Sequence, residues 1–264
     1  MRNLSFSKLL LMVAAIPLIA MAVFAGTLTY QSWTRYADLE RASSLVRLAV
    51  AAGRFGGIAI PAEGAITRET VGGRNDKATL DARRKVTDEL YAAVRAAGVA
   101  NVVKDPRIEE HLKALDERMK LILDLRQKVD AKQITSPSAS TVVLAPMASR
   151  ALDLVGSAGS VVGDAVLARR IFAIYATLQF SENALLQRGT GQVGLETGKP
   201  PGEVYQLFTR GVALNATFGK LFRDYASPDM VALYQSFDSR HGRELQDLRE
   251  LVIKNTGTPA DLAF

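Results

Sequence analysis

Cysteine is absent from the 264-residue chain. That excludes disulfides, thiolate nucleophiles and thiolate metal sites, and leaves an oxidising compartment permitted. Only two histidines occur. His111 in "IEEHLKALDER" and His241 in "DSRHGRELQ" each lie in a charged helical stretch without an H-x-x-x-H partner. Both read as solvated surface residues, and no metal is expected. The chain also lacks a G-x-S-x-G elbow, a P-loop, an H-E-x-x-H pair and a histidine beside a serine nucleophile. Carboxylate neighbours such as Glu109 and Glu110 sit among basic residues, as solvated faces do, so neither catalysis nor a cofactor is expected. Runs of alternating β-branched residues bounded by hairpin turns are missing too, which argues against strands.

What is present begins with "LLLMVAAIPLIAMAVFAGTLTY", Leu9 to Tyr30, a run without a charged residue. At 1.5 Å per residue it can cross a hydrocarbon core of about 30 Å. Arg2 and Lys8 precede it, and Tyr30 and Trp33 mark its far end. The positive-inside rule therefore places the N-terminus in the cytoplasm and the rest of the chain outside, in the periplasm if the membrane is a bacterial inner membrane. The competing reading is a cleaved signal peptide with "VFA" before Gly26 as its cleavage site. Against it stand the length of the apolar run and the amphipathic helix that continues through "RYADLERASSLVRLAV".

The net charge is +6, and beyond the first span 31 basic residues face 27 acidic ones. The signs are interspersed, as in "DERMKLILDLRQKVD", and aromatics are not interleaved with basic clusters, so nucleic acid is not an expected partner. A mild positive field suits small anions.

Three-four apolar periodicity dominates the remaining chain, so the fold class is all-α. Asp105-Pro106 and Ser227-Pro228 each pair an N-cap residue with proline at the first helical position and should open helices. Pro61 should kink or break the first long helix, and "TVGGRND" and "ETGKPPG" read as loops. "ITSPSASTVVLAP" is a low-complexity stretch that reads as a connector between halves. The resulting division is a cytoplasmic N-terminus and membrane helix over 1–32, then an outer helical region over 33–264 with halves at about 33–135 and 146–264.

One helix raises a chemical question. Counting in steps of three and four from Ile171 gives Ile174, Leu178, Ser181, Leu185 and then Arg188, a guanidinium on an apolar stripe. If that stripe packs on neighbouring helices, Arg188 needs a counter-charge, for which Glu182 and Gln187 are candidates, or a small anion. A structural ion pair or snorkelling to water is the plain alternative. The two proline-started helices are 122 residues apart, and the same offset takes Asp116 to Asp238 and Arg118 to Arg240. An offset near 120 takes Arg68 to Arg188, which would place two arginines on facing helices around one planar anion.

A membrane span, a long all-helical outer region and the pattern E/K-E-x-A-x-x-E-R-A/G with a glycine turn in two halves resemble the NIT domain of bacterial receptors, a nitrate- and nitrite-sensing module. The similarity covers most of Leu45 to Phe264 and is strongest over "FAIYATLQFSENALLQRGTGQVGLETGKPPGEVYQLFTR". The resemblance implies two stacked, antiparallel four-helix-type bundles sharing long helices, and an anion held by the motif arginine. By position that is Arg188, with Gln187 where the motif has an acidic residue. The first motif is poorer, and only Glu63 and Arg68 approximate it. The candidate ligand residues are thus Arg188 and Arg68, supported by Glu182, Gln187 and Glu63, with nitrate or nitrite as the first ligand to test.

The family's receptors usually continue through a second span into a HAMP linker and an output module. The resemblance therefore implies either a fragment or a chain that signals through a partner. Helices such as "YADLERASSLVRLAVAAGRF" carry apolar residues for both a core and a second copy, so a homodimer is expected. The reading from a different class is a membrane-anchored structural scaffold without a ligand.

Overall fold

The computed structural model describes residues 6–135, 138–197 and 202–254. Among these residues there are eight α-helices and no strand: α1 (Phe6–Arg54), α2 (Ile60–Val71), α3 (Lys77–Val99), α4 (Pro106–Asp130), α5 (Ser138–Val161), α6 (Ala165–Thr197), α7 (Gly202–Tyr225) and α8 (Pro228–Lys254). A π-helical turn (Phe55–Ala59) joins α1 to α2. They form two antiparallel four-helix-type bundles that share long helices. The first packs α1, α2 and α4 against α5, with α3 lying on α1 and α2. The second packs α7 and α8 on α6, with α5 joining the two.

α1 has 49 residues, about 74 Å at 1.5 Å per residue. Its stretch from Leu18 to Leu39 is exposed, with Phe24, Tyr30 and Trp33 uncovered by the rest of the chain. From Leu45 onward the same helix enters the core through Leu48, Ala52 and Phe55.

Pro61 does interrupt this rod, and the distortion lies just upstream of it. Proline has no N–H to give the carbonyl four residues back, and its ring crowds that carbonyl. The chain responds by widening one turn, so that the Ile60 N–H donates to Phe55 O, the i to i−5 bond of a π-bulge. Gly56 lets this turn lie against α5. A Cβ at Gly56 would stand 2.7 Å from Ala151 Cβ and 2.9 Å from Ala148 O, so only a residue without a side chain fits.

The helix starts follow local chemistry. Asp105 caps α4 by accepting from the Arg107 N–H at 2.9 Å, with Pro106 in the first position. Asp76 caps α3, accepting from the Thr79 N–H at 2.7 Å. Pro228 opens α8, and Ser227 O accepts from the Val231 N–H at 3.0 Å. Of "TVGGRND", Thr70 and Val71 complete α2, and the turn begins at Gly72. In "ETGKPPG", α6 runs through Thr197, and residues 198–201 lie outside the described residues.

The low-complexity stretch after Ile134 behaves differently from a connector. From Ser138 it is helix, with Pro146 inside it. Its small and aliphatic residues Leu144, Met147, Ala148, Ala151, Leu154 and Val155 are buried because α5 meets α1, α2, α4 and α6. Small residues read as linker composition in a sequence, yet they are also what a helix needs when neighbours crowd it from several sides.

Two polar clamps hold the helices in register. Glu63 on α2, 1% exposed, accepts from Arg126 Nε and Nη2 of α4, both at 2.8 Å, while Arg126 Nη1 donates to Asp88 of α3 at 2.7 Å. In the second bundle Arg249 of α8 donates through Nε to Gln187 Oε1 of α6 at 2.7 Å and through Nη2 to Asn215 Oδ1 of α7 at 2.9 Å. The partners are 63 residues apart in the first clamp and 62 in the second.

Removing one member of a buried ion pair leaves the other charge desolvated and typically costs about 3–5 kcal/mol. Arg126→Ala should therefore destabilise the chain by about that amount in denaturant unfolding followed by circular dichroism. Lys128→Ala, which removes an exposed pair with Asp124, should cost less than about 1 kcal/mol.

Candidate functional site

The clamps also decide which way the neighbouring side chains point. On an α-helix five residues correspond to about 140° of rotation. With Glu63 turned toward α4, Arg68 is carried round to the side of α2 that meets α5 and α6. Helical side chains lean toward the N-terminus and cover the preceding turn, and Arg68 Nη1 accordingly lies 3.8 Å from where a Cβ on Gly64 would be. The same guanidinium packs against Gly189 of α6, 3.6 Å from the position of a Cβ there, and Nη1 donates to Thr141 Oγ1 of α5 at 3.4 Å.

Arg188 lies about 100° round α6 from Gln187, and it meets Arg68 at a small cavity. The cavity has a volume of about 40 Å³, where one water occupies roughly 10–15 Å³ on a comparable measure. Ile60, Leu144 and Leu185 form its apolar walls, and Arg68, Arg188, Thr141 and Glu182 supply the polar groups. The Arg68 pKa is lowered by burial first and by the neighbouring Arg188 cation second, against the pull of Glu69 and Glu182. Among the described residues neither cation has a paired carboxylate, which gives the site net positive character.

Three of the five residues singled out in the sequence, Arg68, Arg188 and Glu182, line this cavity. The other two do not. Glu63 is bound to Arg126, and Gln187 is engaged with Arg249 and with Gly211 O at 3.1 Å. The stripe from Ile171 to Arg188 is not the inward face of α6 either. Ile174, Ser181 and Arg188 are exposed, and the inward stripe is Gln179, Glu182, Asn183, Gln187 and Thr190. The polar stripe can be inside because Arg249 and the α6 and α7 backbones supply partners, as when Gln187 Nε2 donates to Gly211 O and Asn215 Nδ2 donates to Phe180 O at 2.9 Å. Arg188 consequently reaches the cavity from its solvent side and needs no buried counter-charge.

The two clamps also share a sequence offset. Glu63 and Gln187 occupy equivalent places in them, as do Arg126 and Arg249, at offsets of 124 and 123 residues. On that register Gly64 is the counterpart of Arg188, and the Arg68 guanidinium reaches back over Gly64 from one turn further on. Thr141, Arg126, Asn215 and Arg249 were not singled out in the sequence. The shared spacing of the clamps was the available signal for two of them.

A second, larger cavity of about 550 Å³ adjoins the first and shares Thr141, Ala145, Glu182 and Leu186 with it. Arg118, Arg150, Asp153 and Arg210 supply its charges. Burial pushes the Asp153 carboxyl up, against the pull of His111, Arg150 and Arg210. His111 is half-buried rather than solvated, with Nδ1 enclosed; the His241 side chain lies outside the description. Glu182 separates the two cavities. It is 9% exposed, its Oε2 has no hydrogen-bond partner, and burial raises its pKa to about 7 while Arg68 pulls the other way.

A carboxyl whose pKa is raised on folding makes the folded state lose stability as pH rises from the unfolded value, near 4.5, to about 7, and the loss then levels off. Over that window Glu182 should remove about 3 kcal/mol. Glu182→Gln should lose this component and be the more stable protein at about pH 8, read from unfolding midpoints across pH. Equal pH dependence in both proteins would contradict the assignment.

Comparison with known proteins agrees with this architecture. No curated protein matches the chain. Among solved structures it is similar to the NasR transcription antiterminator, at 20% identity and a TM-score of 0.72, over 89% of this chain and 65% of that one. At that identity the likeness is one of fold, and the chain spans less than two thirds of that protein's length. Residues 38–263 match the family described as nitrate and nitrite sensing. Since this match takes in nearly all of both bundles, the chain belongs to the NIT family.

Proposed function

We propose that the chain is the membrane-anchored, extracytoplasmic sensor region of a bacterial signalling receptor, and that nitrate or nitrite binds in the small cavity between Arg68 and Arg188. The observation that carries this reading is the convergence of two guanidinium groups from distant parts of the chain on a cavity sized for a few heavy atoms. A guanidinium offers parallel N–H donors in one plane, which suit two oxygens of a planar oxyanion, and charge-assisted bonds are roughly twice as strong as neutral ones. The Thr141 hydroxyl adds a further polar contact. Family membership supports the choice of anion. The role is binding and signalling rather than catalysis.

Membrane anchoring is supported by the exposed apolar surface of α1 around Leu18 to Trp33, which lipid would cover. In this reading the N-terminus is cytoplasmic and the bundles are periplasmic. The signal travels mechanically, since α2, which holds Arg68, is continuous with α1 through the π-turn. A shift of α2 on anion binding would pass along that rod toward the membrane. We further propose a homodimer. The exposed Val50, Ile58 and Ile174 on α1, the π-turn and α6 leave apolar surface for a second copy.

Calorimetric titration of the full chain in detergent with nitrate, nitrite, chloride and acetate tests the site. Losing a charged donor pair should weaken binding by about 2–5 kcal/mol, so Arg68→Ala and Arg188→Ala should each bind at least about thirtyfold more weakly with unchanged helicity. If wild type binds none of these anions, or Arg188→Ala binds equally well, the chain is a helical scaffold instead. Sedimentation of the full chain should show a dimer, and a monomer at high concentration would remove that part of the reading.

A further inference from the structure

Glu182 is a buried carboxyl group with an unmet hydrogen-bonding need. It sits where an ion pair with Arg68 would be expected, yet Arg68 Nη1 is turned to the Thr141 hydroxyl instead. Cations face the region from every side. Arg68 comes from α2, Arg118 from α4, Arg150 from α5, Arg210 from α7 and Arg188 from α6 itself, with Asp153 of α5 and Glu69 of α2 as the further acids. Arginine stays protonated throughout the accessible pH range. The other ionisable groups facing this region are the carboxyls and, beyond Asp153, the His111 imidazole.

An oxyanion entering a cavity of about 40 Å³ brings its negative charge next to Glu182. Two like charges at such range disfavour each other, and the carboxylate relieves this by taking a proton. Protonation also converts Glu182 from an acceptor-only group into one with an O–H donor. We infer that Glu182 joins the anion site as a carboxylic acid, its O–H donating to the bound oxyanion beside Arg68 and Arg188, so that each anion bound above neutral pH takes up one proton from solution. No covalent bond is made. The proton comes from buffer and stays on a Glu182 oxygen while the anion is bound.

This rests on the proposed anion site and adds a selectivity rule to it. The site then reads oxyanion and proton together, and its response weakens in alkaline surroundings. Burial already holds the Glu182 acid near the point of half-protonation, so the uptake requires little further shift. The sign follows directly. Below about pH 7 the acid form is present before binding and affinity is flat, whereas above it affinity falls by about tenfold per pH unit.

The test is calorimetry of the full chain in detergent with sodium nitrate, in buffers of different ionisation enthalpy. Wild type should take up close to one proton per nitrate at about pH 8 and close to none at about pH 5.5. Its dissociation constant should rise about tenfold between pH 6 and pH 8. Glu182→Gln, which keeps a donor but cannot titrate, should bind without proton uptake and with a pH-independent affinity above that of wild type at about pH 8. His111→Gln should behave as wild type. Nitrate binding by wild type without proton uptake overturns the inference and leaves the anion site standing. Uptake that persists in Glu182→Gln and disappears in His111→Gln overturns it too. If wild type binds neither nitrate nor nitrite, the anion site itself fails and this inference with it.

Discussion

A carboxylate that is 1% exposed must be answered inside the protein, and the answer to Glu63 organises the first bundle. Arg126 crosses from α4 with two donors, and its third nitrogen takes in Asp88 of α3. Three helices are thereby fixed in register by one guanidinium. Helix geometry does the rest, because a helix whose residue 63 is committed to one neighbour has little freedom in where residue 68 points. Arg68 is presented to α5 and α6 as a consequence of where Glu63 is held.

The second bundle meets the same requirement with neutral amides. Gln187 and Asn215 are both buried, and Arg249 is the cation that joins them. An amide needs no counter-charge, so its burial costs less than that of a carboxylate once its hydrogen bonds are made. Gln187 in this place therefore closes the clamp without a negative charge. It also leaves Arg188 without an adjacent negative partner on its own helix turn.

Between the clamps lie several polar groups without a full set of partners. Among the described residues Arg68 and Arg188 stand together without a paired acid, while Glu182 stands beside them without a hydrogen-bond partner for one oxygen. Glu182 and the half-buried Arg68 would each be costly as purely structural features, whereas Arg188 keeps contact with solvent, and the three groups gather at one cavity. That concentration distinguishes the cavity from the surface ion pairs of α3 and α4, where partners are exposed and both charges are satisfied. The glycines serve the same location, since Gly64 and Gly189 leave the room that the Arg68 guanidinium occupies.

Local chemistry alone determined the helical class, the proline-led starts of α4 and α8 and the interruption at Pro61, because caps, missing N–H groups and apolar period act within a few residues. What those rules leave open is rotation of one helix against another. The stripe from Ile171 to Arg188 has the helical period of an inward face, yet the inward face is the polar row from Gln179 to Thr190. Periodicity counts apolar residues and cannot see that Arg249, 62 positions beyond Gln187, will satisfy a buried amide. Likewise Glu63 reads as a companion of Arg68 from five residues away, whereas its partner lies 63 residues on. Composition misread α5 for a related reason, since small residues suit both a linker and a helix enclosed by several others. The tertiary structure decided these points, because the energy of a buried polar group is set by whichever atoms meet it in space.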